Sequence, residues 1–349
     1  MSVSVPGAFG EMANAAGDRS GSASIDAVVT WVDGADPAHA ARLAEFLGTT
    51  ARPVAAHATR FADAGEIEWC VASILRFAPW IRTIHVVTDR QVPPLMARIA
   101  GTRYADRVRV VDHREIFAGH EHLLPTFNSR AIITALWRIP GLADRFIYFN
   151  DDFVLLRPVA PTDFFRDDGT MVLRGDWRPQ QHTLWWRRLL AAWRARRGGD
   201  KRVRNLAAQE ESARLAGYAD TYLRLFHNPF PMRVATLSQW FARHPEHFAA
   251  NLAPKLRSEA QFKTEALCAH LELAQGTGVV DNGLRTLQLK PAEQWGPRMR
   301  AKMARAEDDA RTAFAVVQSL DQAPAPTQAL LRGWLDRRAG RLADVLAGA

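Results

Sequence analysis

The stretch FIYFNDDFVLLRP, residues 146–158, decides the fold that the sequence predicts. Its opening run is apolar and aromatic, which predicts a buried strand. Asn150, Asp151 and Asp152 then stand together where that strand meets solvent. Such a tripeptide forms either a turn that caps itself or the edge of a ligand site, because Asp and Asn side chains suit both.

Strands and helices alternate along the chain before this stretch. Short apolar runs predict strands at 25–32, 83–89, 107–112 and 145–150. Apolar residues at helical spacing predict helices at 66–78, 93–101 and 129–139. This alternation is typical of an α/β fold with a mostly parallel sheet and helices on both faces.

Each predicted strand ends in an acid. The four are Asp33, Asp89, Asp112 and Asp151. In a parallel sheet these ends share one edge, where ligands bind, and clustered like charges need a compensating cation. We therefore expect a divalent ion, Mg²⁺ or Mn²⁺, held by Asp151 and Asp152, since Mg²⁺ is typically held by one or two carboxylates and substrate phosphates.

Other side chains near this edge are candidates for substrate binding. Asp33 and Gly34 close the first strand, where glycine allows a ligand close to the backbone. Trp31 could stack on a base or fill the core. Asn128 and Arg130 open a helix, and they suit either an anionic group or a plain helix cap.

The remainder of the chain departs from this alternation. We expect a disordered leader over 1–24, an α/β core over 25–175, a mainly helical remainder over 176–290 and a helical tail over 291–349. Helix is predicted through 205–275, with a short strand or loop at 276–289. The tail is predicted as helices at 298–320 and 327–346, separated by an APAP hinge at 323–326.

Composition and charge limit the classes of binding partner that the sequence predicts. The chain has 349 residues, a formal charge of +8 and two cysteines, which give neither a disulfide framework nor a metal-ligand spacing. Residues 177–204 hold nine Arg or Lys and four Trp against one acid. This stretch suits an anionic membrane surface or polyanion, or else a solvated helix whose Trp side faces the core. No motif indicates nucleic acid, and no apolar run predicts a membrane span.

Several motifs resemble the Stealth family. They are TWVDGADP (30–37), the stretch 60–94, LPTFNSRAI (124–132) and FIYFNDDF (146–153), with weaker matches in HNPFPM (227–232), HPEHF (244–248), LRSEAQF (256–262) and VVDNG (279–283). That family includes bacterial capsule polymerases and the eukaryotic enzyme that marks lysosomal glycoproteins with N-acetylglucosamine 1-phosphate.

The resemblance implies a fold, an activity and a location. It implies a glycosyltransferase-A-like core over 25–175 that binds a nucleotide sugar. It implies transfer of a hexose or N-acetylhexosamine 1-phosphate from a UDP-sugar to an acceptor sugar hydroxyl, releasing UMP. The acceptor would be a saccharide or a lipid-linked glycan in capsule or cell-surface polysaccharide synthesis, made in the cytoplasm, with peripheral contact at the inner face of the plasma membrane.

The resemblance also carries functional roles onto single residues. The family's acids fall on Asp26, Asp151 and Asp152, and its His and Arg fall on His227 and Arg257. Histidine suits a proton acceptor and arginine a phosphate clamp. Asp26 opens its strand instead of closing it, so a structural role fits its position as well.

Two further positions bear on this resemblance. Arg202 aligns loosely as a second phosphate contact. Ile133 stands where the family usually has an acid, which could weaken catalysis or alter substrate contacts.

Two other functions compete with this one. An ordinary metal-dependent glycosyltransferase would use the same carboxylates but release UDP. A non-catalytic module would bind a polyanion or a membrane through residues 177–204.

Overall fold

The structure is a computed structural model that describes residues 24–48, 63–183, 205–294 and 296–348. The predicted leader, residues 1–24, lies outside the described residues apart from Ser24.

Strands and helices alternate through the first half of the described residues. The strands are β1 (Ile25–Thr30), β2 (Ile81–Thr88), β3 (Val108–Asp112), β4 (Arg145–Asn150), β5 (Phe153–Leu155), β6 (Met171–Leu173), β7 (Gly175–Pro179), β8 (Thr221–Leu225), β9 (Phe230–Arg233), β10 (Gly278–Val280), β11 (Arg285–Leu289) and β12 (Thr312–Val317).

The helices follow the same order along the chain. They are α1 (Pro37–Leu47), α2 (Glu66–Phe77), α3 (Leu95–Ile99), α4 (His113–Ile116), α5 (Ser129–Ala135), α6 (Asn205–Leu215), α7 (Val234–Arg243), α8 (Pro245–Leu252), α9 (Thr264–Ala274), α10 (Gly296–Asp308), α11 (Ala325–Arg338) and α12 (Leu342–Ala347).

The central sheet has five strands in the order β3-β2-β1-β4-β9. The first four run parallel, with Thr30 opposite Asn150 and Thr88 opposite Asp112, and β9 adds an antiparallel edge. Consecutive residues of β1 are buried from Ile25 to Val29, so both faces of the sheet are covered. The predicted mostly parallel α/β sheet is confirmed.

Helix α2 shows how the apolar pattern selects a buried face. Ile67, Val71, Ile74 and Leu75 recur at helical spacing, and each is at most 2% exposed. The helix ends at Phe77, two residues before Pro79, since a residue next to proline avoids the helical conformation. Cys70 of this helix is buried too.

The chain leaves the central sheet immediately after β4. Residues 151 and 152 form a turn, and β5 then pairs with β12 in a separate three-stranded sheet, β11-β12-β5. A second apolar core forms between this sheet and α2, α10 and α11, around Trp69, Val154 and Trp334. The turn therefore lies where two sheets meet.

Strand β12 corrects the prediction of a helix across 298–320. Helix α10 ends at Asp308, and Thr312–Val317 form a fully buried strand. The run TAFAVV carries no charge and has an apolar or β-branched residue at every position, which is typical of a strand buried on both faces. The predicted tail therefore contributes a strand to the fold.

The segment 205–275 also differs from its prediction. It contains helices α6 to α9, but β8 and β9 interrupt them. Strand β8 pairs with β7, and β9 extends the central sheet beside β4. Strands β10 and β11 follow within the predicted short strand or loop at 276–289.

The final predicted helix is broken in two. Gly340 separates α11 from α12 with a φ of 92°, a conformation that glycine adopts without steric cost. Leu331, Trp334, Leu335 and Leu342 are all buried, so this face packs on its own chain. Among the described residues, no helix combines the length and the apolar character that crossing a bilayer requires.

Candidate functional site

The candidate site is built on the turn that follows β4. Asn150, Asp151 and Asp152 are partly buried there, and Val317 N–H of β12 donates to the Asp152 carbonyl oxygen at 3.1 Å. The turn is thus fixed from both sheets. Its backbone is held in place while its carboxylates remain at the rim of the central sheet.

Two acids from the start of α2 join this turn. Asp63 and Glu66 act electrostatically on Asp151, and Glu66 acts on Asp152. Burial and these neighbours raise the pKa of Asp151 well above its usual value and that of Asp152 to about 7. Burial also raises the pKa of Glu66 to about 7, helped by Asp63. The four side chains form an acid cluster.

One atom of this acid cluster lacks a protein partner. Asp152 Oδ1 is inaccessible to solvent and accepts no hydrogen bond from the described residues. Buried polar atoms are normally hydrogen-bonded, so an orphaned carboxylate oxygen among other acids has the chemistry of a cation ligand. Oxygen donors of this kind suit hard divalent ions.

His227 lies beside the same turn, in the loop between β8 and β9. Its Nε2 is 3.2 Å from Asn150 Nδ2 and its Nδ1 is 3.5 Å from Gln318 Nε2. The Tyr148 hydroxyl donates to Asn150 Oδ1, which turns the Asn150 amide group to donate towards His227. Both amide nitrogens are donors and a neutral imidazole accepts at only one ring nitrogen, so the shorter contact assigns the lone pair to Nε2 and the proton to Nδ1.

The surroundings keep His227 neutral. Burial, together with the nearby charges of Lys263 and Arg257, lowers its pKa to about 4, while Glu265 opposes these effects. The ring packs edge-on against Phe153, with centroids 4.8 Å apart. At neutral pH the imidazole is therefore unprotonated, as a proton acceptor must be.

Arg257 is held against the start of α5. Its Nε donates to Ser129 Oγ at 3.0 Å, and its charge acts on both His227 and Tyr148. The loop that carries it is tied down by Asn128, whose Nδ2 donates to Pro254 O at 2.8 Å. The structure therefore brings the predicted acid pair, His227 and Arg257 together at the end of β4.

Asn128 and Arg130 act within the protein. Asn128 is fully buried, and its Oδ1 caps α5 by accepting from Arg130 N–H at 3.0 Å. The Arg130 guanidinium donates to Ser258 O at 2.9 Å. Both side chains thus hold the Arg257 loop against α5, which corrects the expectation that they open towards an anionic ligand. Ile133 of the same helix is buried in the core.

The other strand-end acids do not join the acid cluster. Asp89 Oδ2 lies 3.1 Å from Arg42, and Asp112 caps α4 while pairing with Arg114 at 2.7 Å. Asp33 Oδ1 accepts from Ala35 N–H in a local turn. The carboxyl ends of the four parallel strands share one edge of the sheet, as expected, but only Asp151 lies in the acid cluster, because arginines and turns satisfy the other three acids.

Trp31 and Gly34 lie at the end of β1. Trp31 is buried, and its Nε1 donates to Asp63 Oδ2 at 2.9 Å. The indole N–H thus holds Asp63 in place at the start of the acid cluster. The buried position of Trp31 agrees with the alternative in which this side chain fills the core. Gly34 is partly exposed in the turn that follows Asp33.

Asp26 lies at the opposite end of β1. It lies four positions before Thr30, which is roughly 13 Å along a strand. It is fully buried, and Arg82, His85 and the Ala143 N–H all contact its carboxylate. Burial would raise its pKa, but these hydrogen bonds outweigh that effect and lower it to about 2. This geometry favours a structural role.

Most of the basic stretch lies outside the described residues. Arg202 lies in 184–204, outside the described residues. Trp177 is described in β7 and is 46% exposed.

Three residues of the site escaped the sequence-based prediction. Asp63 precedes α2 and Glu66 is its first residue, where acids are ordinary. Gln318 follows a strand that was predicted as helix. The uncharged run TAFAVV was the signal that could have found Gln318, whereas nothing local distinguishes Asp63 and Glu66 from capping acids.

Comparison with known proteins identifies conserved regions. Residues 23–51 match the sequence model of Stealth protein conserved region 1, and residues 60–173 match conserved region 2. An exopolysaccharide phosphotransferase of Streptomyces coelicolor is 48% identical over 147 residues, which is 42% of this chain and 26% of that protein.

Two other relatives match over a similar segment. The exopolysaccharide phosphotransferase cps2G of Lactiplantibacillus plantarum is 39% identical, over 43% of this chain and 42% of that protein. The capsular polysaccharide phosphotransferase LcbA of Aeromonas hydrophila is 40% identical, over 42% of this chain and 39% of that protein. The chain thus spans between 26% and 42% of the length of these curated relatives.

Solved structures resemble the fold more distantly. An active-site mutant of LgtC has a TM-score of 0.44 at 13% identity, covering 88% of this chain and 94% of that chain. The galactosyltransferase LgtC in complex with donor and acceptor sugar analogues has a TM-score of 0.40 at 13% identity, covering 93% of this chain and 95% of that chain. Residues 23–51 and 60–173 of this chain are thus similar to two conserved regions of Stealth proteins.

Proposed function

We propose that this chain is a sugar-1-phosphate transferase of cell-surface polysaccharide synthesis. It moves a hexose or N-acetylhexosamine 1-phosphate from a UDP-sugar to a hydroxyl of a saccharide or lipid-linked glycan and releases UMP. The observation that carries this proposal is the meeting of an orphaned Asp152 carboxylate, a neutral His227 and Arg257 at the end of β4. The names of the phosphotransferase relatives support it.

Asp151 and Asp152 are the residues that would hold Mg²⁺ or Mn²⁺. Their oxygen donors, the raised pKa values and the unpartnered Asp152 Oδ1 all fit a hard divalent ion. When bound, such an ion supplies positive charge that offsets a diphosphate and the phosphate that departs from it. Asp63 and Glu66 would strengthen this preference for a cation by adding negative charge nearby.

His227 would accept the proton of the acceptor hydroxyl. Its lone pair at Nε2 faces Asn150 Nδ2, so an acceptor hydroxyl would take the place of that amide donor. Tyr148 and Thr30, whose hydroxyl oxygens are 3.2 Å apart, fix the Asn150 amide group. This network orients His227 before any substrate arrives, which lowers the cost of reaching the reactive geometry.

Arg257 would contact the transferred phosphate. Its planar guanidinium can bind phosphate through two parallel hydrogen bonds. Ser129 Oγ accepts from Nε, so the side chain is steadied on the side that faces α5. The chain's own residues thus provide a cation site, a proton acceptor and a phosphate clamp.

The released nucleotide tests the proposal. Purified full-length chain is incubated with a panel of UDP-sugars, an oligosaccharide acceptor and Mg²⁺, and the nucleotide product is separated by chromatography. UMP together with a phosphodiester product is expected, and chelator should stop its formation until Mg²⁺ or Mn²⁺ is returned. Release of UDP would instead mean sugar transfer at the anomeric carbon.

The alternative of a non-catalytic module makes an opposite prediction. Neither UMP nor UDP would form with any donor, and binding of anionic vesicles or polyanions would depend on the basic residues between 177 and 204. A cytoplasmic location and contact with the inner membrane face remain predictions, and vesicle sedimentation with and without anionic lipid tests the second.

A further inference from the structure

A second group of ligand-type side chains lies away from the acid cluster, at the junction of α7 and α8. His244 separates the two helices, and Glu246 and His247 lie in the first turn of α8. One ligand atom from each of these three residues lies within 4.8 Å of the other two. Among the described residues, no other set of three potential ligands comes so close together.

The spacing of these atoms fits a small transition-metal ion. Glu246 Oε1 is 3.6 Å from His244 Nδ1 and 3.7 Å from His247 Nε2. Bonds of about 2.0–2.1 Å in a tetrahedral zinc site put neighbouring ligand atoms about 3.3–3.4 Å apart. The two distances to Glu246 exceed this spacing by only a few tenths of an ångström, and the two histidine ligand atoms lie within 4.8 Å of each other.

The two imidazoles rest on a rigid support. Trp240 is buried at 4% exposure, and its ring lies 4.7 Å from the His244 ring and 5.5 Å from the His247 ring, centroid to centroid. The His247 N–H donates to the His244 carbonyl at 3.1 Å, and Pro245 restricts the intervening backbone. The ligands are thus positioned by packing and by backbone hydrogen bonds.

The electrostatic setting is balanced at this junction. The carboxyl end of α7 carries partial negative charge and the amino end of α8 carries partial positive charge, so the two helix dipoles offset each other. Glu246 adds a full negative charge. The nearby Arg243 side chain turns back to donate to Gln239 O at 3.1 Å, which directs its Nε along α7.

We propose that His244, Glu246 and His247 form a site for a borderline transition-metal ion, with Zn²⁺ as the principal candidate. Two imidazoles and one carboxylate favour Zn²⁺ over Mg²⁺, which prefers all-oxygen sites. The remaining coordination position faces solvent, since all three side chains are partly exposed. This site is independent of the proposed transferase activity.

A bound ion would tie His244, at the junction that follows α7, to the first turn of α8. The segment that carries Arg257 follows α8 directly in the chain. Asn128 Nδ2 donates to the carbonyl oxygens of Pro254 and Leu256 and so holds this segment in place. The ion would therefore stabilise the folded state around this junction, and its binding should raise the melting temperature by an amount that grows with the logarithm of the metal concentration divided by the dissociation constant.

Metal titration of the full-length protein tests this site. Protein freed of any histidine tag and of bound metal is titrated with Zn²⁺ by calorimetry and with Co²⁺ by visible absorption. We expect one site whose affinity falls at least about tenfold in His244→Ala and in His247→Ala, since each removes one of three protein ligands. Glu246→Gln should weaken binding while keeping the shape of the side chain.

Two controls separate this site from other metal binding. His122→Ala removes an exposed histidine elsewhere and should bind Zn²⁺ like the wild type. Zn²⁺ should raise the melting temperature of the wild type but not of the His244→Ala, His247→Ala double variant. Unchanged zinc affinity and stoichiometry in that folded double variant, checked by circular dichroism, would overturn the proposal, as would no zinc uptake by the wild type.

Discussion

The central sheet carries buried acids at both ends, and the two ends differ in how those acids are satisfied. At the amino end of β1, Asp26 is surrounded by Arg82, His85 and backbone N–H groups, and its pKa is lowered to about 2. At the carboxyl end of β4, Asp152 has other acids as neighbours, and burial raises its pKa to about 7. An aspartate carboxylate is therefore paired within the protein at one end of the sheet. At the other end, Asp152 Oδ1 has no hydrogen-bond partner among the described residues.

The contrast separates a structural acid from a functional one. A fold stabilises itself by pairing a buried carboxylate, whereas a cluster of unpaired carboxylates costs free energy unless something binds there. Substitution should therefore lower stability without changing activity at Asp26, whereas it should lower activity and raise stability at Asp152.

The largest effect should come from Asp152→Asn. We expect transfer activity to fall by about 10³-fold, because the amide removes a charged ligand from the proposed cation site. The unfolding free energy without metal should rise by about 1 kcal/mol, since a destabilising buried charge is removed. Rates of UMP release and urea unfolding measure the two quantities.

Asp112→Asn is the matched control for this change, since Asp112 lies on the same sheet edge and asparagine also caps helices well. It should alter the rate of UMP release less than about twofold, as surface changes away from a site do. Full activity in Asp152→Asn would remove that residue from the site.

His227→Gln should have the next largest effect. We expect a loss of about 10²-fold in transfer, because a general base contributes about that much or more, while glutamine preserves much of the hydrogen bonding to Asn150. With saturating metal, wild-type activity should decline as the pH falls towards 4, where His227 gains a proton, and not near its ordinary pKa of 6.5. A decline centred near 6.5 would contradict the burial of this imidazole.

Asp26→Asn should instead weaken the fold. We expect a loss of about 2 kcal/mol near neutral pH, because the folded pKa of about 2 lies below the ordinary value of 3.8. A lowered carboxyl pKa gives stability that is present above pH 4 and is lost as the pH falls through the folded pKa. Activity per folded molecule should stay unchanged, in contrast to Asp152→Asn.

Urea unfolding between about pH 5 and pH 2.5 measures this dependence for wild type and variant. The wild type should lose its advantage over Asp26→Asn across that interval. As a control, Asp106→Asn replaces an exposed aspartate and should follow the wild-type curve. A catalytic role for Asp26 would be supported if its variant lost turnover while keeping wild-type stability.

The smallest effect should come from Asp112→Ala. The Asp112 carboxylate accepts from Arg114 N–H at 2.9 Å in a capping box with Glu115, so its removal should lower the unfolding free energy by about 1 kcal/mol. Urea unfolding at neutral pH provides the measurement. A change in metal affinity instead would mean that this acid belongs to the cation site after all.

The apolar pattern alone predicted the layout of the central sheet. Continuous apolar runs in β1, β2 and β4 have few alternatives to a strand buried on both faces, and the spacing of α2 permits one buried face. The pattern failed at β12, where TAFAVV was assigned to a helix because it follows a helical run. The pattern also fails to predict β8 and β9, because short strands lack a strong periodic signal.

The sequence by itself determined which residues could take part in binding and catalysis. They are the adjacent carboxylates Asp151 and Asp152, the titratable imidazole of His227 and the guanidinium of Arg257. Only the tertiary structure decided which of the acids are unsatisfied. Hydrophobic periodicity specifies the face that each element buries, but the partner of a polar side chain depends on contacts between residues far apart in the chain. Asp26 contacts Arg82 and His85, whereas Asp152 lies near Glu66. This difference makes Asp26 a structural residue and Asp152 a candidate cation ligand.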